Sequence, residues 1–366
     1  MHDTAAALQP PRKDCLPFEF SASTSGYYRL WLGNMLLTVL TLGLYSAWAK
    51  VRTQRFLYGH TRLAGGRFDY HGKPGAILKG RLLMLALFTL WQLSGRWSPA
   101  LQGMLGLAAF AIAPWIAVQA MRFRLANTSW NQLRLRFSGQ VRPAYWVFFK
   151  SWLTTALSFG LLWPRAMLIK RRYLLQHSTL GQASLKQHDC IGRLYLAGLG
   201  SLLSALLYLA ALGALGALIW QTGNAIGLPA IVNRLFGAGS MHSVDFTFIG
   251  AMLLAWLLAS MGYANMAIQR VLLNHTTLEL HGQSHRIECW LRTGHMLWLH
   301  LSNALALLCS LGLAWPWLRI RSLRTLLEHS ALFGAGDLAS LHADLNALDD
   351  ARGDELAELL ELDLGW

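Results

Sequence analysis

Residues 194–220 read LYLAGLGSLLSALLYLAALGALGALIW, an apolar run without a single charged side chain. About 20 consecutive apolar residues suffice for a helix to cross the hydrocarbon core of a bilayer. Further apolar runs recur along the chain, at residues 30–47, 82–95, 101–121, 145–163, 244–268 and 296–318. The sequence therefore predicts a mainly helical, polytopic membrane protein.

The composition supports this class. Of the 366 residues 54% are hydrophobic and 14% are charged, and the mean hydropathy is +0.34, whereas soluble domains carry about 25% charged residues. The net charge is +14, although residues 337–366 are strongly acidic. Lys and Arg beside apolar runs are what the positive-inside rule predicts for cytoplasmic loops. They also indicate anionic lipids as partners. No nucleic-acid partner is expected.

A threefold internal repeat appears when Gly43, Gly160 and Gly312 are aligned without gaps. Leucine follows each glycine, arginine comes twelve residues later, and histidine followed by a hydroxyl residue comes seventeen residues later. The matched arginines and histidines are Arg55, Arg172 and Arg324 with His60, His177 and His329. This spacing predicts three copies of one structural unit.

Each repeat predicts a helix, a tight turn at the glycine, and a second helix. Glycine favours the end of a helix and proline the first turn of the next one, and Pro164 and Pro316 each follow the turn glycine by four residues. The second helix has one basic and one apolar face, which is typical of a helix lying in the membrane interface. The repeated arginines are candidates for binding anionic headgroups, and the histidines for the same site. The alternative is that the arginines anchor the helix and the histidines cap it.

The distribution of bases predicts the topology. The polar segments between the apolar runs hold 28 Lys and Arg, whereas the two loops at 95–100 and 221–243 hold 2. If only the hairpins 82–121 and 194–268 cross the bilayer, every basic segment and both termini lie in the cytoplasm. The three repeats would then be re-entrant or interfacial. Six or seven full spans remain the alternative.

Motifs of catalysis are missing from the sequence: it has no P-loop, GxSxG or HExxH pattern. The protein is therefore expected to be non-enzymatic, without catalytic residues or cofactor. The three histidines lack a carboxylate or cysteine at ligand spacing, so no metal site is expected. A channel or transporter for a small anionic solute remains the alternative function, with polar residues of the hairpins facing one cavity. The candidates for that cavity are Gln92, Ser201, Ser204 and Asn265.

Residues 18–72, FEFSASTSGYYRLWLGNMLLTVLTLGLYSAWAKVRTQRFLYGHTRLAGGRFDYHG, resemble the start of YjgN-like bacterial inner-membrane proteins. The segments RLANTSWNQLRLRFSG (124–139) and LNHTTLELHG (273–282) are similar to later parts of the same pattern. The resemblance covers about residues 18–330 and implies a bacterial inner-membrane location. The family is one of unknown function, so the resemblance implies no catalytic residues.

The predicted organisation has three parts. A polar tail (1–17) precedes a membrane domain (18–336), and an acidic amphipathic tail (337–366) follows. The membrane domain holds the repeats at about 18–72, 127–190 and 274–336, the two transmembrane hairpins, and small cytoplasmic β elements. The expected function is a membrane scaffold that binds anionic headgroups, and Gly- and Ala-rich packing faces make a homo-oligomer possible.

Overall fold

A computed structural model describes residues 15–63, 65–131, 133–180, 183–225, 227, 240–280 and 283–334, with backbone alone at 240–248, 280 and 283. The chain divides into two compact units. The first unit contains residues up to 189, residues 275–288 and residues from 327 onward. The second contains residues 190–274 and 289–326.

Ten short strands form a closed barrel. They are β1 (Cys15–Phe20), β2 (Thr61–Leu63), β3 (Gly66–Tyr70), β4 (Thr128–Trp130), β5 (Leu133–Phe137), β6 (Ser178–Leu180), β7 (Ala183–Gln187), β8 (Thr276–Leu280), β9 (Gln283–Cys289) and β10 (Ser330–Phe333). Each strand pairs with its neighbours in the chain, and β1 closes the ring by pairing with β10 through the register Cys15↔Phe333. Closure leaves no free edge strand.

The barrel goes well beyond the small β elements predicted from the sequence. The sequence marks four strand-like pieces, at 18–21, 68–72, 133–139 and 278–282, and each overlaps an observed strand. The strands β2, β4 and β6 have three residues each. So short a strand shows no alternation of apolar and polar residues that would distinguish it from a loop. Its pairing partner across the barrel is what stabilises it.

Apolar side chains fill the interior of the barrel. Trp130, Ala183, Leu278 and Leu332 are buried together, and apolar side chains of the six other strands pack against them. The Trp130 indole lies against Gly66, where an added Cβ atom would come within 2.6 Å of the ring. Its Nε1 donates a hydrogen bond to the Leu63 carbonyl oxygen at 3.3 Å. The barrel is therefore a packed core.

Among the described residues, five pairs of helices interrupt the strand order. The helices are α1 (Thr24–Leu40), α2 (Ser46–Gly59), α3 (Pro74–Trp97), α4 (Pro99–Ala126), α5 (Val141–Leu157), α6 (Trp163–Gln176), α7 (Ile191–Ala225), α8 (Ser240–Leu273), α9 (Thr293–Cys309) and α10 (Trp315–Glu328). Each pair follows an odd-numbered strand and precedes the next even-numbered one. Because neighbouring strands are antiparallel, the chain leaves and rejoins the barrel at the same edge every time.

The helix pairs are of two kinds. The pairs α3–α4 and α7–α8, here called the long hairpins, contain four helices that are long and apolar enough to cross a membrane. They contain the predicted hairpins 82–121 and 194–268 and extend beyond each of them at both ends. The pairs α1–α2, α5–α6 and α9–α10, here called the short hairpins, combine a helix of 17 residues with one of 14. A helix of 14 residues is about 21 Å long, shorter than the hydrocarbon core of about 30 Å.

Parts of the predicted organisation lie outside the described residues. These are residues 1–14 of the polar tail, all of the acidic tail 337–366, and most of the loop at 221–243. The remainder of the polar tail belongs to β1, which begins at Cys15.

Candidate functional site

The turn of each short hairpin has the same backbone structure. Gly43, Gly160 and Gly312 have φ angles of +91°, +86° and +91°, and the apolar residue before each glycine is also left-handed. Each glycine N–H donates to the carbonyl oxygen five residues earlier, as in a Schellman motif. The left-handed glycines explain why the first helix ends there.

A hydroxyl group two residues before each glycine joins the two helices of a short hairpin. Thr41 Oγ1, Ser158 Oγ and Ser310 Oγ each accept a hydrogen bond of 2.9 Å from the backbone N–H four residues later. The same hydroxyls donate to carbonyl oxygens of the preceding helix. A side-chain oxygen at this place satisfies an N–H at the start of the second helix, which has no partner within the helix.

A buried polar side chain nine residues before each glycine links the helices further from the turn. Asn34 Nδ2 donates to the Ala49 carbonyl oxygen at 3.5 Å, and Ser151 Oγ donates to the Ala166 carbonyl oxygen at 3.3 Å. In the third short hairpin, Asn303 Nδ2 donates to Ser322 Oγ at 3.1 Å. All three polar side chains are buried. Hydrogen bonds of this kind hold helices together where lipid surrounds them.

The tips of the short hairpins expose apolar side chains. Leu42 is 96% exposed, Phe159 is 101% exposed and Leu311 is 93% exposed. An exposed tryptophan follows each tip, and an exposed base comes within seven residues of the turn glycine. The tryptophans are Trp48, Trp163 and Trp315, and the bases are Lys50, Arg165 and Arg319. The order of apolar tip, tryptophan and base is typical of a segment inserted into one membrane interface.

The predicted histidines act as helix caps in the first two repeats. His60 Nδ1 lies 2.7 Å from the Phe56 carbonyl oxygen, and His177 Nδ1 lies 2.8 Å from that of Tyr173. A carbonyl only accepts, so Nδ1 carries the proton in both rings. The hydroxyl of the next residue donates to a carbonyl of the same helix, from Thr61 and from Ser178. His329 follows the end of α10 and is half-buried.

The predicted arginines lie at the ends of the same helices as their histidines. Arg55 is exposed, and its Nε donates to the Tyr70 carbonyl oxygen at 3.1 Å. Arg172 and Arg324 are half-buried. Beside Arg172, Arg171 Nε donates to Gln187 Oε1 at 3.1 Å. The contact of Arg55 holds the end of β3 and favours the anchoring interpretation for that arginine.

Two further copies of this motif were missed in the sequence. The pattern Arg-x4-(His or Asn)-(Thr or Ser) ends all five helix pairs, at Arg55, Arg122, Arg172, Arg270 and Arg324. In the second copy Asn127 replaces histidine, and its Nδ2 donates to the Phe123 carbonyl oxygen at 2.7 Å. Arg122 donates to the Gly139 carbonyl oxygen and Arg270 to that of Leu291. The copies at 122 and 270 lie at the ends of the long hairpins. An alignment on the turn glycine of the short hairpins therefore does not find them.

The amino-acid sequence matches a family described as bacterial protein of unknown function (DUF898) over residues 15–359. The chain belongs to this family. Inner membrane protein YjgN of Salmonella typhimurium is 30% identical over 131 residues, which are 36% of this chain and 33% of the relative. YjgN of Escherichia coli O157:H7 is 26% identical over 144 residues, 39% of this chain and 36% of the relative.

The alignments thus cover about a third of the length of these curated relatives. No solved structure matches the chain. The relatives are inner membrane proteins, as the sequence of this DUF898 protein predicted.

The residues expected to line a transport cavity have different surroundings in this DUF898 protein. Gln92 and Asn265 are exposed, whereas Ser204 is buried and donates to the Ser201 carbonyl oxygen at 2.8 Å. Ser201 donates in turn to the Ala197 carbonyl oxygen. Both serines thus use their hydroxyls within α7. Among the described residues, no group of three or more His, Cys, Asp or Glu could hold a metal ion.

Proposed function

We propose that this DUF898 protein is a non-enzymatic scaffold of the bacterial inner membrane that binds anionic lipid headgroups through its three short hairpins. The barrel and both termini lie in the cytoplasm in this proposal, and the long hairpins cross the bilayer. The short hairpins enter the cytoplasmic leaflet and return to the same side. Each of these statements is a proposal about the protein in its membrane.

The distance from tip to base is the observation that carries the proposal. Arg165 follows Gly160 by five residues, and Lys50 and Arg319 follow their glycines by seven. At 1.5 Å per residue, these bases lie only about 8–11 Å along the helix from the tip. A tip within the near leaflet therefore leaves all three bases at headgroup depth, whereas a full crossing would place them in hydrocarbon.

The barrel supports the same topology. Because the helix pairs of the first unit, α1–α2, α3–α4 and α5–α6, leave one edge of the barrel, we expect the bases near that edge to lie on one side of the membrane. The 28 to 2 distribution of Lys and Arg favours the cytoplasm for that side. The packed barrel interior offers no aqueous path through the strands that are described, so this part of the structure gives no support to a channel.

Cysteine labelling tests the topology. In a background without Cys15, Cys190, Cys289 and Cys309, single cysteines replace the tip residues Leu42, Phe159 and Leu311. Ala100→Cys in the first long hairpin and Ser284→Cys on the barrel serve as references. With an impermeant maleimide added to intact cells, we expect reaction only at position 100. Reaction at the tips would mean that the short hairpins cross, and the proposal would be wrong.

Lipid composition tests the binding. The triple variant Lys50→Gln, Arg165→Gln and Arg319→Gln should co-purify with less anionic lipid than the wild-type protein. The matched control is Arg62→Gln, Arg134→Gln and Arg286→Gln, which removes three exposed bases from the barrel. Equal losses in both triple variants would show that headgroup binding does not depend on the short hairpins.

A further inference from the structure

The short hairpin α9–α10 contains a cationic cluster that the other two lack. The side chain of Arg321 is half-buried, and its Nη1 donates to Ser302 Oγ and to Asn303 Oδ1, both at 2.9 Å. The guanidinium carbon lies 4.9 Å from the centre of the Trp317 ring. The cluster thus joins both helices of the hairpin around one positive charge.

No acidic side chain balances this charge. Among the residues that the structure describes, no carboxylate lies within ion-pair distance of Arg321, and Nε and Nη2 donate to no protein acceptor. Burial lowers the pKa of Arg321, which shows that its surroundings disfavour the charge. An arginine nevertheless stays protonated in a protein. A half-buried guanidinium with unused donors is suited to an anion from outside the chain.

His300 adds a second unsatisfied group. It is 8% exposed, and its Nε2 is buried without a hydrogen-bond partner. Its imidazole packs against Gly262 of α8, where any Cβ atom would collide with the ring. Burial and the nearby charge of Arg321 lower the pKa of His300 to about 4, so the ring is neutral. A neutral imidazole protonated at Nε2 offers one further donor.

The matched positions of the other short hairpins show that the turn and helix pairing do not require this cluster. With the turn glycines aligned, His300 corresponds to Trp31 and Phe148. Arg321 corresponds to Arg52, which is exposed and donates to Tyr45 Oη, and to Ile169. The position of Asn303 holds a buried polar residue in all three short hairpins. Asn303 already links the two helices of its hairpin through its hydrogen bond to Ser322. His300 and the hydrogen bonds from Arg321 to Ser302 and Asn303 are therefore particular to the third short hairpin.

The chemistry points to a phosphate group. The planar guanidinium matches two phosphate oxygens, and it lies over the exposed Trp317, a type of residue that marks headgroup depth. Basic pockets between helices on the cytoplasmic side are suited to phospholipid headgroups. We propose that Arg321, positioned by Ser302 and Asn303 and assisted by His300, binds one phosphate group, supplied by an anionic phospholipid or by free phosphate. The lipid source rests on the proposed function, whereas the phosphate chemistry does not.

The test compares Arg321→Gln with Arg286→Gln, which removes an exposed base of β9 outside the short hairpins. Native mass spectrometry of the full chain in detergent counts bound anionic phospholipid, and calorimetry measures inorganic phosphate. We expect Arg321→Gln to weaken one phosphate-bearing ligand about tenfold to a hundredfold, the size of a charge-assisted hydrogen bond, and Arg286→Gln to leave it unchanged. Arg321→Lys should bind with intermediate affinity, and the thermal midpoints show whether each variant folds.

The outcomes separate the two proposals. Loss of phospholipid alone identifies a lipid site, and loss of inorganic phosphate binding identifies a site open to the soluble ion. Equal weakening by Arg321→Gln and Arg286→Gln, or no weakening by either, overturns the site and leaves the scaffold proposal standing if wild type still prefers anionic lipid. A wild-type protein that binds inorganic phosphate but shows no preference for anionic lipid overturns the scaffold proposal and leaves the phosphate site.

Discussion

Individual hydroxyl, histidine and asparagine side chains cap the helices of the hairpins. The three hydroxyls at positions 41, 158 and 310 each satisfy the first N–H groups of a second helix, and His60, Asn127 and His177 satisfy carbonyls where helices end. Asparagine occupies this position in the second helix pair, where the others have histidine. The two side chains have in common an N–H donor that reaches the carbonyl four residues earlier, and they differ in their other properties. Capping therefore accounts for this position without a ligand.

Removing one of these hydroxyls should loosen its hairpin. We expect Ser158→Ala to lower the free energy of unfolding by about 1 kcal/mol, since the Leu162 N–H loses its acceptor. Ser158→Thr keeps the oxygen and should stay close to the wild-type value. Thermal unfolding in detergent measures both. If alanine and threonine behave alike, the hydroxyl contributes nothing to the turn.

The histidine inside the barrel should make its stability depend on pH. His285 is buried against Gly334, and burial lowers the pKa of this histidine from 6.5. Below pH 6.5 the unfolded chain binds a proton that the folded barrel does not, so stability is complete above this pH and falls as the pH falls.

The thermal midpoint of the wild-type protein should therefore decrease from pH 7 to pH 5. His285→Leu removes the titrating group and should flatten this decrease. The same slope in both proteins would mean that another group causes the acid sensitivity.

Helices and loops are connected by arginines that donate to backbone carbonyls. Arg55, Arg122 and Arg270 lie at the same place in three helix pairs, and each reaches the end of a strand or the loop after it. Guanidinium groups suit this role because they keep several donors and their charge at the membrane interface. An arginine that repeats along a chain can therefore mark packing as readily as a ligand site.

Neighbouring arginines of α4 separate packing from charge. Both side chains are exposed, and Arg122 Nη2 donates to the Gly139 carbonyl oxygen at 2.8 Å, a contact that the Arg124 side chain does not make among the described residues. We expect Arg122→Gln to lower the free energy of unfolding by roughly 1–2 kcal/mol and therefore to lower the thermal midpoint. Arg124→Gln should change both quantities little. A larger loss in Arg124→Gln would show that charge near the membrane matters more than the carbonyl contact.

At the scale of the whole molecule, the barrel organises the membrane helices. Each helix pair is bracketed by two strands that pair with one another, so the barrel brings the ends of every pair together. Backbone bonds at the shared edge reinforce this, as in Ser21 N–H to the His60 carbonyl and His71 N–H to that of Asn127. The ends of the helix pairs are thus held in place by the strands of the packed β-barrel.

The centre of that core should be the most sensitive position. Trp130→Ala removes the largest buried side chain of the barrel interior, and we expect a loss of about 3–5 kcal/mol in the free energy of unfolding. Trp97→Ala is the control, since Trp97 is 77% exposed at the end of α3. Yield from membranes and the thermal midpoint measure the effect. A barrel that tolerated the loss of Trp130 would not organise the helices as described.

The sequence by itself determined the membrane class, the four long apolar helices and the glycine turns, because hydrophobic length and backbone freedom are local properties. It also carried the family resemblance. Only the tertiary structure decided that the short strands close into one barrel, that the Arg-His pattern ends five helix pairs, and that Arg321 and His300 lie together. Strands of three residues and contacts between distant helices depend on partners elsewhere in the chain, and no local pattern specifies them.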